Sequence, residues 1–170
     1  MKATVTWGLL AAWAVHDSEE LATMASWMRR NRPELERRFP WIRWDLLEMS
    51  QAQVTVAIGL MGALVAAASA AGARSGGRSR FYQAALAGFG VHGAVHLAQA
   101  ALKGGYTPGV LTAPTVVLPF SVWAWRRLAA EGVPTEAKGS VAAGVALFLA
   151  AVGGVHGLAR LLIRGPGRWF

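Results

Sequence analysis

The chain has 170 residues, enough for one domain of ordinary size, and a net charge of +8. Its residues are 54% hydrophobic and only 15% charged, whereas soluble domains carry about a quarter charged residues. This composition disfavours a soluble class and predicts a single membrane domain that covers residues 1–170.

Five transmembrane helices are predicted, so the expected fold is an all-α polytopic helix bundle. Each apolar stretch approaches the roughly 20 residues that cross a bilayer. The first is apolar at both ends and polar in the middle, which suits a helix whose polar face turns into a bundle. In chain order the predicted helices cover residues 4–28, 49–73, 81–102, 108–125 and 141–163.

Two interruptions of this pattern are predicted. The connector of about 20 residues between the first two helices contains Pro33, and within it residues 41–47 form a short amphipathic segment at the membrane interface. Pro114 and Pro119 leave backbone groups of the fourth helix without partners, so we expect a kink there.

The basic residues collect between the apolar stretches. This spacing fits contact with anionic lipid better than a phosphate-binding face, so we expect membrane lipid as a partner and no nucleic acid. Self-association into a homo-oligomer stays open. The arginines concerned form three groups: Arg29, Arg30, Arg32, Arg37, Arg38 and Arg43; Arg74, Arg78 and Arg80; and Arg126 and Arg127.

All four histidines lie inside predicted helices, as His16, His92, His96 and His156. Ionisable groups in hydrocarbon are costly unless paired or liganded, and they usually mark function. Counted from the predicted helix starts, they lie about 12, 11, 15 and 15 residues in. Helices one, three and five cross the membrane in the same direction, so the histidines should share a layer roughly 6 Å thick.

Carboxylates in the first helix complete this layer. Residues three and four apart are neighbours on a helix, so Glu19 and Glu20 flank His16. The chain has no cysteine, which leaves imidazole and carboxylate ligands; these suit zinc, and also iron or manganese. The sequence therefore predicts one buried metal site with six candidate ligands: His16, Glu19, Glu20, His92, His96 and His156.

The run His16-Asp17-Ser18-Glu19-Glu20 matches the motif that names the HXXEE family of small bacterial membrane proteins. Three further runs resemble that family's central segment: His96-Leu97-Ala98-Gln99, Tyr106-Thr107-Pro108-Gly109 and Thr112-Ala113-Pro114. The resemblance covers nearly the whole chain. It implies an integral membrane protein that binds metal through His16, Glu19, Glu20 and His96, and it implies no particular reaction.

Two positions depart from the family pattern. His92 stands where the family has an asparagine four residues before its central histidine, and Arg160 stands where a late His-x-x-x-Asn pattern ends. The first departure could add a ligand. The second departure puts in doubt the role that the late asparagine has in the family.

Three classes of function fit these features. We favour a metalloenzyme of the bacterial cytoplasmic membrane that acts on a lipophilic substrate, with whichever of Glu19 and Glu20 is not a ligand as general acid or base. A metal-ion or proton carrier or sensor is the second class, although polar residues confined to one layer argue against a continuous path. The third is a structural subunit whose histidines make polar contacts between helices.

Overall fold

The computed structural model describes residues 2–135 and 137–163, and these residues confirm the predicted all-helical fold. A 3₁₀ turn at Trp44–Leu46 and a π-helical turn at Ala113–Val117 accompany the α-helices, and the described part contains no strand. The α-helices are α1 (Lys2–Arg38), α2 (Gln51–Ser75), α3 (Arg80–Lys103), α4 (Leu118–Ala130) and α5 (Ala137–Leu162).

Helix α1 is longer than predicted, because it continues to Arg38 and contains Pro33 within its length. Charged contacts stabilise the part of α1 that extends beyond the predicted end. The Lys103 ammonium at the end of α3 donates to both oxygens of Glu34, at 2.9 and 3.0 Å. An apolar pattern cannot detect a polar extension of this kind, so the connector to α2 is shorter than the predicted 20 residues.

The connector between α1 and α2 exposes apolar side chains. Trp41, Leu46 and Leu47 are 75%, 54% and 51% exposed, and the indole of Trp44 donates to the Phe39 carbonyl at 3.1 Å. Exposed aromatic and aliphatic groups next to arginines are typical of a segment at a membrane interface.

The turns that bound α2 and α3 follow from local sequence. Ser50 and Gln53 form a capping box at the start of α2, and Ser79 caps α3. Gly76 and Gly104 end these helices in the left-handed conformation, with φ of 60° and 75°.

Within the described residues, three helices are long and apolar enough to cross a membrane: α2, α3 and residues Gly144–Leu162 of α5. This finding indicates a membrane location. Helix α1 carries an acidic cluster in its apolar part. Helix α4 has only 13 residues, because a π-helical turn that contains Pro114 precedes it and Pro119 lies in its own first turn. The predicted irregularity of the fourth helix therefore takes the form of a π-helical turn.

Helices α1 and α3 meet over a small contact area. Helix α1 packs against α2, and α3 packs against α5, where a Cβ atom on Gly88 would lie 3.0 Å from the Gly144 carbonyl oxygen. On one side of the bundle the π-helical turn and α4 contact both α1 and α3. This arrangement brings the middle of α1 and α3 to the same π-helical turn.

Candidate metal centre

Four side chains from α1 and α3 converge in the bundle interior. His16, Glu20, His92 and His96 each place one ligand atom within 4.8 Å of the others. His16, Glu20 and His96 are buried and His92 is partly buried. Each helix contributes a pair spaced four residues apart, which directs both side chains of the pair to one face.

The spacing of these donors matches a transition-metal site. The Nε2 atoms of His92 and His96 lie 2.9 Å apart, and His96 Nε2 lies 3.4 Å from Glu20 Oε1. Ligands at 2.0–2.1 Å from a tetrahedral zinc lie roughly 3.3 Å from each other. These two separations are close to that value, and all four donors lie within 4.8 Å of one another, so three imidazoles and one carboxylate could hold a four-coordinate ion by drawing together.

His16 is held as a metal-ligating histidine usually is. Its Nδ1 atom lies 2.7 Å from the Thr112 hydroxyl, whereas its Nε2 atom is buried and has no hydrogen-bond partner among the described residues. Buried polar atoms are rarely left unpaired, and a ligating imidazole commonly bonds a protein group through its other nitrogen. Both features fit a metal bound at Nε2.

Glu19 faces a different part of the molecule from Glu20. Its Oε2 accepts from the Thr112 amide at 2.9 Å and from the Thr112 hydroxyl at 2.7 Å. Its Oε1 accepts from the Tyr106 hydroxyl at 2.9 Å and from the Leu111 amide at 3.4 Å. Glu19 thus binds the segment between α3 and the π-helical turn. Tyr106, which belongs to a run that resembles the HXXEE family, is one of its partners.

His156 lies outside the four-residue group. Its Nδ1 atom lies 2.8 Å from the Val152 carbonyl oxygen of its own helix. It lines the same cavity as His92 and His96. The structure therefore brings together three of the four histidines, and places the fourth on α5 in the lining of the adjoining cavity.

The sequence reasoning did not assign Asp17, Gly109 or Thr112 to the site. Asp17 is 6% exposed, and its Oδ2 atom is buried without a partner in the described part of the chain. Gly109 has φ of 84°, and a Cβ atom there would lie 2.6 Å from the His96 ring and 2.9 Å from the His16 ring. The sequence did contain an indication of these residues, because all three lie in the runs that resemble the HXXEE family.

A cavity of about 570 Å³ adjoins the cluster. Glu20, His92 and His96 line it together with Asp17, and most of the remaining lining is apolar. The apolar residues come from α1, α2, α3, α5 and the connector between α1 and α2. The donors therefore meet a space that is suited to an apolar molecule.

Comparison with known proteins identifies a family. The family model described as "Protein of unknown function with HXXEE motif" matches residues 7–124, about two thirds of the sequence. The chain belongs to this family. The matched range includes the four converging residues and Thr112, and it ends before α5 and His156. No curated protein and no solved structure matches the chain.

Proposed function

We propose that this HXXEE protein is an integral membrane metalloprotein that holds one metal ion through His16, Glu20, His92 and His96. The convergence of these four donors from two helices carries the proposal. The Nε2 atom of His16, which has no hydrogen-bond partner among the described residues, supports it further. Three imidazoles and a carboxylate favour zinc, with iron or manganese as alternatives.

We extend the proposal to catalysis on a lipophilic substrate in the bacterial cytoplasmic membrane. The apolar cavity beside the cluster supports this extension, since about 570 Å³ lies within the usual range for small-molecule sites. A molecule from the bilayer could place its apolar part in the cavity and a reactive oxygen at the cluster.

The chemistry expected at this site divides between the ion and the side chains around it. When bound, the metal supplies Lewis acidity or an activated water. Asp17 lines the cavity with an unpartnered oxygen atom among the described residues and is suited to accept or donate a proton. Glu19 is less suited to this task, because its oxygens accept bonds from Tyr106, Leu111 and Thr112.

Metal analysis tests the proposal. The protein is extracted in a mild detergent, incubated with zinc, freed of excess metal by gel filtration and measured by mass spectrometry of the elements. We expect about one ion per chain. Retention of less than about a tenth of an equivalent of zinc, iron and manganese alike, at neutral pH where ligands are deprotonated, contradicts the proposal.

One observation favours a carrier as the second candidate function: the cavity lining extends along α3 from Phe81 to Lys103. The lining from Phe81 to Phe89 is apolar, which is unsuited to passing ions. A proteoliposome assay separates the two candidates. Metal flux through the wild type that is lost in His96→Ala would support the carrier.

A further inference from the structure

We infer that Glu19 is a positioning residue, which acts through Thr112 to fix His16 in the tautomer that presents an unprotonated Nε2 atom to the cluster. This inference replaces the ligand and acid–base roles predicted for Glu19 from the sequence. The functional role that the inference gives to Glu19 rests on the proposed metal centre. The hydrogen bonds that support the inference involve protein atoms alone.

The first step concerns the carboxylate of Glu19. Four donors point at its two oxygens: the Thr112 amide and hydroxyl at Oε2, and the Tyr106 hydroxyl and Leu111 amide at Oε1. Backbone amides can only donate, and a carboxylate has about four acceptor positions. Glu19 is therefore saturated as an acceptor, and it receives the hydrogen of the Thr112 hydroxyl.

The second step concerns Thr112, whose hydroxyl has a single hydrogen. Three acceptors lie near that hydrogen: Glu19 Oε2 at 2.7 Å, the Gly109 carbonyl at 3.4 Å and, in one tautomer, His16 Nδ1 at 2.7 Å. A hydrogen given to Gly109 or His16 would leave the Thr112 and Glu19 oxygens facing each other at 2.7 Å with no hydrogen between them, because a carboxylate cannot donate. The hydrogen therefore goes to Glu19, which leaves only lone pairs of the Thr112 oxygen for His16, whose Nδ1 atom lies 2.7 Å from it. His16 must then donate its Nδ1 hydrogen to Thr112.

The third step follows from the chemistry of a neutral imidazole, which carries one hydrogen. A hydrogen on Nδ1 leaves the Nε2 lone pair free, and this is the buried atom of His16 that has no partner in the described part of the chain. We call the two hydrogen bonds from His16 to Thr112 and from Thr112 to Glu19 the relay. The relay disfavours the other tautomer of His16, which carries its hydrogen on Nε2 and could not bind a metal there.

The segment that carries Thr112 is fixed to α1 at a second point. The indole of Trp27 donates to the Tyr106 carbonyl at 2.9 Å, two turns beyond Glu19. Gly109 lies between these contacts, directly against the rings of His16 and His96. Glu19 therefore also keeps this backbone over the two imidazoles, while Glu20 faces the cluster itself.

Nitrogen NMR on metal-free protein tests the inference without any metal. Histidine labelled with ¹⁵N distinguishes protonated from unprotonated ring nitrogens, and the spectrum is recorded above the ordinary histidine pKa of about 6.5. We expect His16 to carry its hydrogen on Nδ1 in the wild type and in Thr112→Ser, which keeps the hydroxyl. Thr112→Val should lose this preference. A wild-type His16 protonated on Nε2 overturns the inference whether or not any variant folds.

Zinc affinity, measured by competition with a chelator, links the relay to the metal. Thr112→Val should bind zinc about 10–100-fold more weakly, as is typical when an outer-shell partner is lost, and Thr112→Ser should resemble the wild type. If the wild type binds no metal but shows the expected tautomer, the metal centre fails and the relay stands. If Thr112→Val retains both wild-type affinity and the Nδ1 tautomer, the relay fails and the metal centre stands.

Discussion

The Nε2 atoms of His92 and His96 lie 2.9 Å apart on successive turns of α3. Two lone pairs cannot face each other at this distance, so one ring donates its Nε2 hydrogen to the other. Glu20 approaches the same His96 atom from α1, at 3.4 Å. A metal ion bound by both Nε2 atoms would need a lone pair from each of them. The hydrogen that now lies between them would then move to the Nδ1 atom of the ring that carries it. Binding of the proposed metal would therefore change the hydrogen bonding of this pair of histidines.

The four-residue cluster makes a prediction about which histidines bind metal. Replacement of His96 or His16 by alanine should weaken zinc binding by more than about 100-fold, the upper range for loss of an outer-shell partner. His156→Ala is the matched control and should retain wild-type affinity, because His156 lies outside the cluster. Equal losses in His156→Ala and His96→Ala would instead favour the six-ligand site predicted from the sequence.

Gly109 and Gly104 provide a matched pair for testing the loop that covers the cluster. Both have positive φ, so alanine at either position should cost about 1–2 kcal/mol of backbone strain. Only at Gly109 would the new Cβ atom meet the His96 and His16 rings, since nothing lies within 4 Å at Gly104.

We expect Gly109→Ala to reduce zinc affinity beyond any loss seen in Gly104→Ala, with both measured by chelator competition. Thermal unfolding in detergent, monitored by tryptophan fluorescence, measures the loss of stability from the backbone strain that both variants share. Equal zinc affinities in the two variants would mean that the loop does not constrain the histidines.

The cavity predicts binding of apolar molecules independently of the metal. Ala151 on α5 lines the cavity, whereas Leu149 on the same helix is 64% exposed. Ala151→Phe should weaken binding of a dansyl-labelled fatty acid several-fold because the new ring occupies the space, and Leu149→Phe should not. Zinc affinity should be unchanged in both variants. Probe binding that is insensitive to Ala151→Phe would show that the probe binds elsewhere.

The ion pair between Glu34 and Lys103 predicts a pH-dependent contribution to stability. The Lys103 ammonium holds the pKa of the Glu34 carboxyl below its ordinary value. A carboxyl with a lowered pKa in the folded state stabilises the protein above the ordinary glutamate pKa of about 4.3, and that stabilisation is lost as the pH falls through the lowered value.

Glu34→Gln should therefore unfold at a lower temperature than the wild type at pH 7, by a small amount because the pair is at the surface. The two midpoints should converge as the medium is acidified below the ordinary glutamate range. A difference that persists unchanged in acid would assign the effect to something other than this ion pair.

The sequence determined the apolar helical segments and the types of candidate ligand, because both depend on local patterns. The length of an apolar stretch decides whether a helix can cross a membrane. A spacing of four residues decides that His92 and His96 share a helix face, as do His16 and Glu20. The HXXEE motif and the runs near Gly109 and Thr112 indicated the remaining segments of the site.

The tertiary structure decided which of the predicted residues meet. A sequence gives the depth of a residue along its helix, but packing against neighbouring helices sets the rotation of that helix about its axis. Glu19 and Glu20 lie at nearly the same depth and point about 100° apart, and only the packed bundle directs Glu20 to the histidines and Glu19 to Thr112. The partner of Glu19 comes from 93 residues further along the chain, a separation that no local pattern can register.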